Sequence, residues 1–148
     1  MNENPTAVLF ACTMNSIRSP IAESILKYLL GQRIYVDSVG VHQGEIDGYA
    51  VAAMDEIGID ITRHKSKTFE DLEDSSYDLI ISLSPEAQHK AVELTRWMAW
   101  DVEFWNTYDP SLVQSENREA ILDSYRLCRD QLMKRISERF PISNVHDT

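Results

Sequence analysis

Four short apolar runs alternate with four stretches of helical periodicity, and that order leaves the chain few ways to fold. Residues 6–12 (Thr-Ala-Val-Leu-Phe-Ala-Cys) are nearly all apolar, as suits a strand covered on both faces of a parallel sheet. Asp78-Leu79-Ile80-Ile81-Ser82-Leu83 repeats that character, and residues 33–39 and 99–105 supply two further strands. Helices fill the gaps. Ser19 and Pro20 read as a cap and a first helical residue. Ile21, Ala22, Ile25, Leu26, Leu29 and Leu30 then recur at helical spacing until Gly31. Residues 49–57 give a second helix, stopped by Gly58. Ser84-Pro85-Glu86 repeats the cap-then-proline signal and opens a third helix, running to Arg96. A long last helix over residues 115–140 carries Ile121, Tyr125, Cys128, Leu132 and Ile136 as its apolar stripe, and Pro141 ends it. The order β-α-β-α-β-α-β-α predicts an α/β fold of three layers, a four-stranded parallel sheet with helices on both faces. With no linker or repeat in 148 residues, one domain over 1–148 is expected.

In such sheets ligands bind beyond the carboxyl ends of the strands. Cys12 stands at the end of the first strand and Asp109 follows the fourth, so the fold order alone brings both to one edge. After Cys12 come Thr13, Met14, Asn15, Ser16 and Ile17, then Arg18 and Ser19-Pro20. A thiol, a guanidinium and a helix start therefore share a small space. A cation and a helix N-terminus lower a thiol's pKa from its usual value of about 8.5, and a loop entering a helix offers N–H groups to an anion. Arg18 can grip two oxygens of a tetrahedral oxyanion. Ser19 can donate to the thiolate, and Asn15 tolerates a left-handed turn. Residues 13–18 are thus expected to bind a tetrahedral oxyanion that Cys12 attacks.

This stretch resembles the active-site loop of the low-molecular-weight protein tyrosine phosphatase family, which shares its fold with the thioredoxin-coupled type of arsenate reductase. The resemblance rests on Cys12, Asn15, Arg18 and Ser19 in the loop, Ser38 ending the second strand, His64 before the third, and Asp109-Pro110 late in the chain. It implies a phosphotyrosine phosphatase I-like fold and Cys12, Arg18 and Asp109 as catalytic residues. Asn15, Ser19, Ser38 and His64 would form a network holding the loop open. The implied reaction passes through a cysteinyl-phosphate, with no metal or organic cofactor. The substrate would be a phosphorylated protein or a small phosphomonoester.

Some positions depart from the family pattern. Ile17 stands where many members carry a second loop cysteine, so a protective loop disulfide cannot form. Thr13 and Met14 replace a larger apolar residue and a glycine. Ser111 and Leu112 follow Asp109-Pro110, where phosphotyrosine-specific members carry tyrosines. Ser84 stands near the place of an acidic residue. Two other functions therefore stay open: arsenate reduction with an external thiol, and phosphate binding without turnover. Cys128, Trp97, Trp100 and Trp105 read as packing residues, His64 as a structural hydrogen-bonder, and the basic run 63–67 as a solvated face.

The net charge of −10 opposes nonspecific binding to nucleic acid or to an anionic membrane. No apolar run reaches membrane-spanning length, and Met1-Asn2-Glu3-Asn4-Pro5 lacks signal-peptide character, so a cytoplasmic location is expected. Two cysteines make no disulfide framework. Nothing in the pattern specifies an oligomeric state.

Overall fold

The computed structural model describes residues 5–72 and 76–141. Residues 1–4, read above for leader character, lie outside them. The elements follow the expected alternation: β1 (Ala7–Cys12), α1 (Arg18–Leu30), β2 (Tyr35–Gly40), α2 (Gly48–Asp55), β3 (Leu79–Ser82), α3 (Pro85–Leu94), β4 (Asp101–Phe104) and α4 (Arg118–Arg139). Single 3-10 turns at Phe69–Asp71 and Pro110–Leu112 lie in the connections before β3 and α4. All strand pairs are parallel, in the order β2-β1-β3-β4.

β1 is the centre of the sheet, and its side chains divide the core. Val8, Phe10 and Cys12 pack with Ile21, Ile25 and Leu26 of α1, Ala53 and Met54 of α2, and Cys128, Leu132 and Ile136 of α4. Leu9 and Ala11 point to the other face, against Ala87 and Ala91 of α3 together with Phe69 and Trp100. The period of two along a fully buried strand explains why residues 6–12 read as one apolar run: both faces are core. The three-layer expectation is met.

Local details differ from the sequence reading. α1 begins two residues earlier than Ser19 suggests, with Ile17 at the cap position and no side chain capping it. The Ser19 hydroxyl is engaged elsewhere, as described below. Gly31 follows α1 with ordinary right-handed angles (φ −62°, ψ −17°). Arg33 and Ile34 both donate to the Leu30 carbonyl, which delays β2 to Tyr35. α4 is capped by Asn117, whose side chain accepts from the Glu119 N–H, rather than starting at residue 115. Ser84 caps α3 as the sequence suggests, accepting from the Ala87 N–H at 3.2 Å. Trp100 and Trp105 are buried, but Trp97 is 80 % exposed beyond the end of α3 and is not a core residue.

The strand order fixes where a ligand site can lie. The chain leaves β1 for β2 on one side and later crosses to β3 on the other. The carboxyl ends of β1 and β3 therefore flank the point where the winding reverses, and a crevice opens there. Cys12 is the last residue of β1 and Ser82 the last of β3.

Candidate active site

The segment from Thr13 to Ile17 is bent by its own carbonyls. Those of Cys12, Thr13, Met14 and Ser16 accept from the N–H groups of Val41, His42, Gly44 and Asp47, at 2.8–3.1 Å. The N–H groups from Thr13 to Ile17 donate to no acceptor among the described residues. The loop thus spends its acceptors on the β2–α2 connection and keeps its donors, the polarity an anion needs. Gly40 makes this docking possible. A Cβ there would lie 2.7 Å from the Asn15 nitrogen and 2.5 Å from the His42 carbonyl oxygen.

Asn15 is fully buried and sits in the left-handed region at φ 53°. Its side-chain amide fills every bonding position it has. The oxygen accepts from the Lys67 N–H and from His64 Nε2, each at 3.0 Å. The nitrogen donates to Ser19 Oγ at 2.8 Å and to Ser38 Oγ at 2.9 Å. These bonds orient the whole network. Ser38 Oγ, already an acceptor, passes its hydrogen to Glu23 Oε1 at 2.5 Å. Ser19 Oγ, likewise an acceptor, has its hydrogen left for Cys12 Sγ at 2.9 Å, with the Val39 carbonyl more distant at 3.3 Å. A hydroxyl hydrogen directed at sulfur supports negative charge there.

The guanidinium of Arg18 is buried and held from the opposite side. Nη1 donates to the Thr107 carbonyl at 2.9 Å, and Nη2 to Thr13 Oγ1 at 3.4 Å. Thr107 is itself anchored by its N–H on the Leu83 carbonyl and its hydroxyl on the Trp105 carbonyl. Asp109 Oδ2 lies 3.8 Å from Arg18 Nη2, and Oδ1 accepts from the N–H and the hydroxyl of Ser111. Met14, Tyr108 and Leu112 are exposed around the loop, and Met14 packs on Gly44.

Cys12, Asn15, Ser19, Ser38 and His64 are therefore joined in one hydrogen-bonded chain, and Arg18, Thr13 and Asp109 meet beside it. Ile17 points into the core. Burial depresses the His64 pKa, helped by the Lys67 charge and opposed by Glu23, whose Oε1 lies 3.8 Å from Nδ1. With Nε2 donating to Asn15, Nδ1 is left unprotonated in the neutral ring. Burial pushes the Cys128 thiol up to about 12. Among the described residues no cluster of His, Cys, Asp and Glu is arranged to hold a metal ion.

Glu23 is the supporting residue that sequence reasoning missed. It is buried at the base of the network and also holds Lys27. A signal existed: Glu23 lies four residues after Ser19, on the same helix face, amid otherwise apolar buried positions. The Thr107 carbonyl that holds Arg18 left no signal, because any residue supplies a carbonyl.

Residues 7–140 match the family described as low molecular weight phosphotyrosine protein phosphatase. The glutaredoxin arsenate reductase of Synechocystis sp. is 33 % identical over 130 residues, covering 87 % of this chain and 92 % of that one. An arsenate reductase solved in its oxidized state superposes with a TM-score of 0.75 at 31 % identity, covering 95 % of this chain and 98 % of that one. The low molecular weight protein tyrosine phosphatase from T. tengcongensis gives 0.72 at 27 % identity, covering 88 % and 95 %. The chain belongs to the low-molecular-weight phosphotyrosine protein phosphatase family, a family of enzymes that also embraces arsenate reductases.

Proposed function

We propose that the chain is a phosphomonoester hydrolase of the protein tyrosine phosphatase type, acting through a cysteinyl-phosphate. The observation that carries this reading is the meeting of Cys12, Arg18 and Asp109 at a loop with unspent N–H donors. In the first step Cys12 Sγ attacks phosphorus, the S–P bond forms and the P–O bond breaks. Asp109 gives its proton to the leaving oxygen. In the second step the Asp109 carboxylate takes a proton from water as that oxygen attacks phosphorus. The S–P bond breaks, releasing inorganic phosphate and the thiolate. Arg18 and the N–H groups of Thr13, Met14, Asn15, Ser16 and Ile17 hold the equatorial oxygens through both steps. Asn15, Ser19, Ser38 and His64 keep the loop in shape, so its donors need no rearrangement when charge develops.

The substrate is a phosphorylated protein or a small phosphomonoester, and an aryl phosphate tests the chemistry directly. Hydrolysis should vanish in Cys12→Ser and fall on the order of 10²–10³-fold or more in Arg18→Ala, by analogy with loss of an oxyanion donor. Turnover that survives Cys12→Ser, or tight phosphate binding without any turnover, overturns the reading.

A second reading is arsenate reduction, favoured by the names of the Synechocystis and Bacillus subtilis relatives. Arsenate shares the charge and shape of phosphate. Reduction also needs a thiol to carry electrons away, and Cys128 is the only other cysteine. It is buried and, with its pKa pushed to about 12, protonated at neutral pH, which makes it a slow nucleophile. The electrons would come from an external thiol. Arsenate-dependent oxidation of a low-mass thiol supports this reading, and its absence across several thiols dismisses it.

A further inference from the structure

Beyond the supports of the loop, α1, the edge of β2 and residues 60–67 surround an open cleft of about 980 Å³. Five cations line it against three carboxylates, in a chain whose net charge is −10. All three carboxylates are engaged. Glu23 holds Ser38 and Lys27, Asp37 holds Lys67 and Tyr77, and Asp60 accepts from the N–H and hydroxyl of Thr62. Arg33, Arg63 and Lys65 are exposed and form no hydrogen bond or ion pair among the described residues. The Thr62 hydrogen bonds hold the Asp60 carboxyl below the usual range, and Arg63 helps only through space. Three cations without a contact partner around one concavity suit an anion with more than one charged group.

The outer edge of β2 does not invite an added strand. The Ser38 N–H is closed by Asp37 Oδ1 and the Gly40 N–H by the Lys67 carbonyl, each at 2.8 Å. A compact anion therefore fits the cleft better than an extended peptide. The cleft also touches the base of the loop network. Lys27, half exposed there, is 2.5 Å from Glu23 Oε2, and Glu23 leads through Ser38 to Asn15. An anion that draws Lys27 toward itself changes the charge on Glu23's surroundings and so the hydrogen bonds that Asn15 makes.

We propose that this cleft is a second anion site, taking a small molecule with two or more phosphoryl groups, and that its occupancy is transmitted to Asn15 through Lys27 and Glu23. The site itself is independent of the phosphatase reading; its consequence for catalysis rests on that reading. The test is a titration of the full chain with inorganic pyrophosphate, followed residue by residue by ¹⁵N NMR. Two groups of signals should move: the loop around Cys12 to Ser19, and the cleft at Arg33, Arg63 and Lys65. Arg18→Ala should lose only the loop response, and the side-chain amide of Asn15 should still shift as the cleft fills. The pair Arg63→Glu with Lys65→Glu should weaken cleft binding at least tenfold and leave the loop response. Lys27→Gln added to Arg18→Ala should silence the Asn15 shift while the cleft still saturates. Shifts confined to the loop in the wild type, or a cleft response indifferent to charge reversal, overturn the site. An Asn15 signal that stays still at cleft saturation overturns the transmission. A cleft response without any loop response leaves the site standing and sinks the phosphate-loop reading instead.

Discussion

Asn15 combines two roles that a substitution can separate: it adopts a left-handed backbone, and its amide joins Ser19, Ser38, His64 and Lys67. Glycine keeps the first role and loses the second, whereas alanine loses both. Each buried partner left unsatisfied costs about 1–3 kcal/mol, and the left-handed angle costs a non-glycine residue about 1–2 kcal/mol more. Urea unfolding should therefore rank wild type above Asn15→Gly, and Asn15→Gly above Asn15→Ala by roughly 1 kcal/mol. Equal stability of the two variants would remove the backbone part of the argument. His64 gives a pH prediction at the same scale. Its imidazole binds a proton less readily when folded than when unfolded, because burial disfavours the charge. Its contribution to stability is thus complete above the ordinary value of about 6.5 and is lost as pH falls from there through the depressed folded value. Wild-type stability should fall below pH 6.5 more steeply than that of His64→Gln, measured by urea unfolding at several pH values. Parallel curves would contradict it. Asn15 and Ser19 were legible from their side-chain chemistry within the loop, whereas Ser38 and His64 entered the network only through the resemblance to the family. Glu23 was less legible, since one acid on a helix face usually means a solvated surface rather than the foot of a buried network.

The elements were legible where both packing and termination agree. β1 and β3 read clearly because alternate residues enter two separate cores, leaving no polar face to blur the run. β4 read less sharply, since it is an edge strand with Asp101 and Phe104 exposed. Ser19-Pro20 suggested a helix cap by residue type, but the hydroxyl faces Cys12 and Asn15 instead: the demand of the loop overrides the local preference. Phe10 shows what the central strand contributes. It is fully buried and meets Trp105 edge-on, with ring centroids 6.2 Å apart. Phe10→Ala should cost about 3–5 kcal/mol in stability. The loop docking onto β2 is a separate dependence. Gly40→Ala puts a methyl against backbone atoms of Met14 and Asn15 that have no side-chain freedom to yield. It should depress turnover of an aryl phosphate at least tenfold while changing stability less than Phe10→Ala does. A variant with full turnover would show that the 13–17 segment tolerates displacement.

For the whole molecule, the order of elements along the chain was readable but the order of strands in the sheet was not. Periodicity says which segments are strands; only packing decides that β1 lies between β2 and β3 and so places Cys12 at the crevice. Charge acts at this scale too, and with a sign opposite to that of the site. The chain carries −10 overall, while Arg18 and the loop donors offer a local positive field. A dianionic substrate approaching from solvent meets the overall repulsion first. Salt screens that repulsion strongly, since the Debye length falls from about 30 Å at 0.01 M to about 10 Å at 0.1 M. The buried guanidinium at contact distance is screened much less. Raising KCl over that range should therefore increase kcat/KM for an aryl phosphate dianion, on the order of threefold. A neutralised surface should weaken the effect. Replacing Glu45 and Glu86, acids in the segments that adjoin the loop, by glutamine should raise kcat/KM at 0.01 M salt more than at 0.1 M. A kcat/KM that falls steadily with salt would mean that attraction to exposed cations, not repulsion by the acidic body, governs how the substrate arrives.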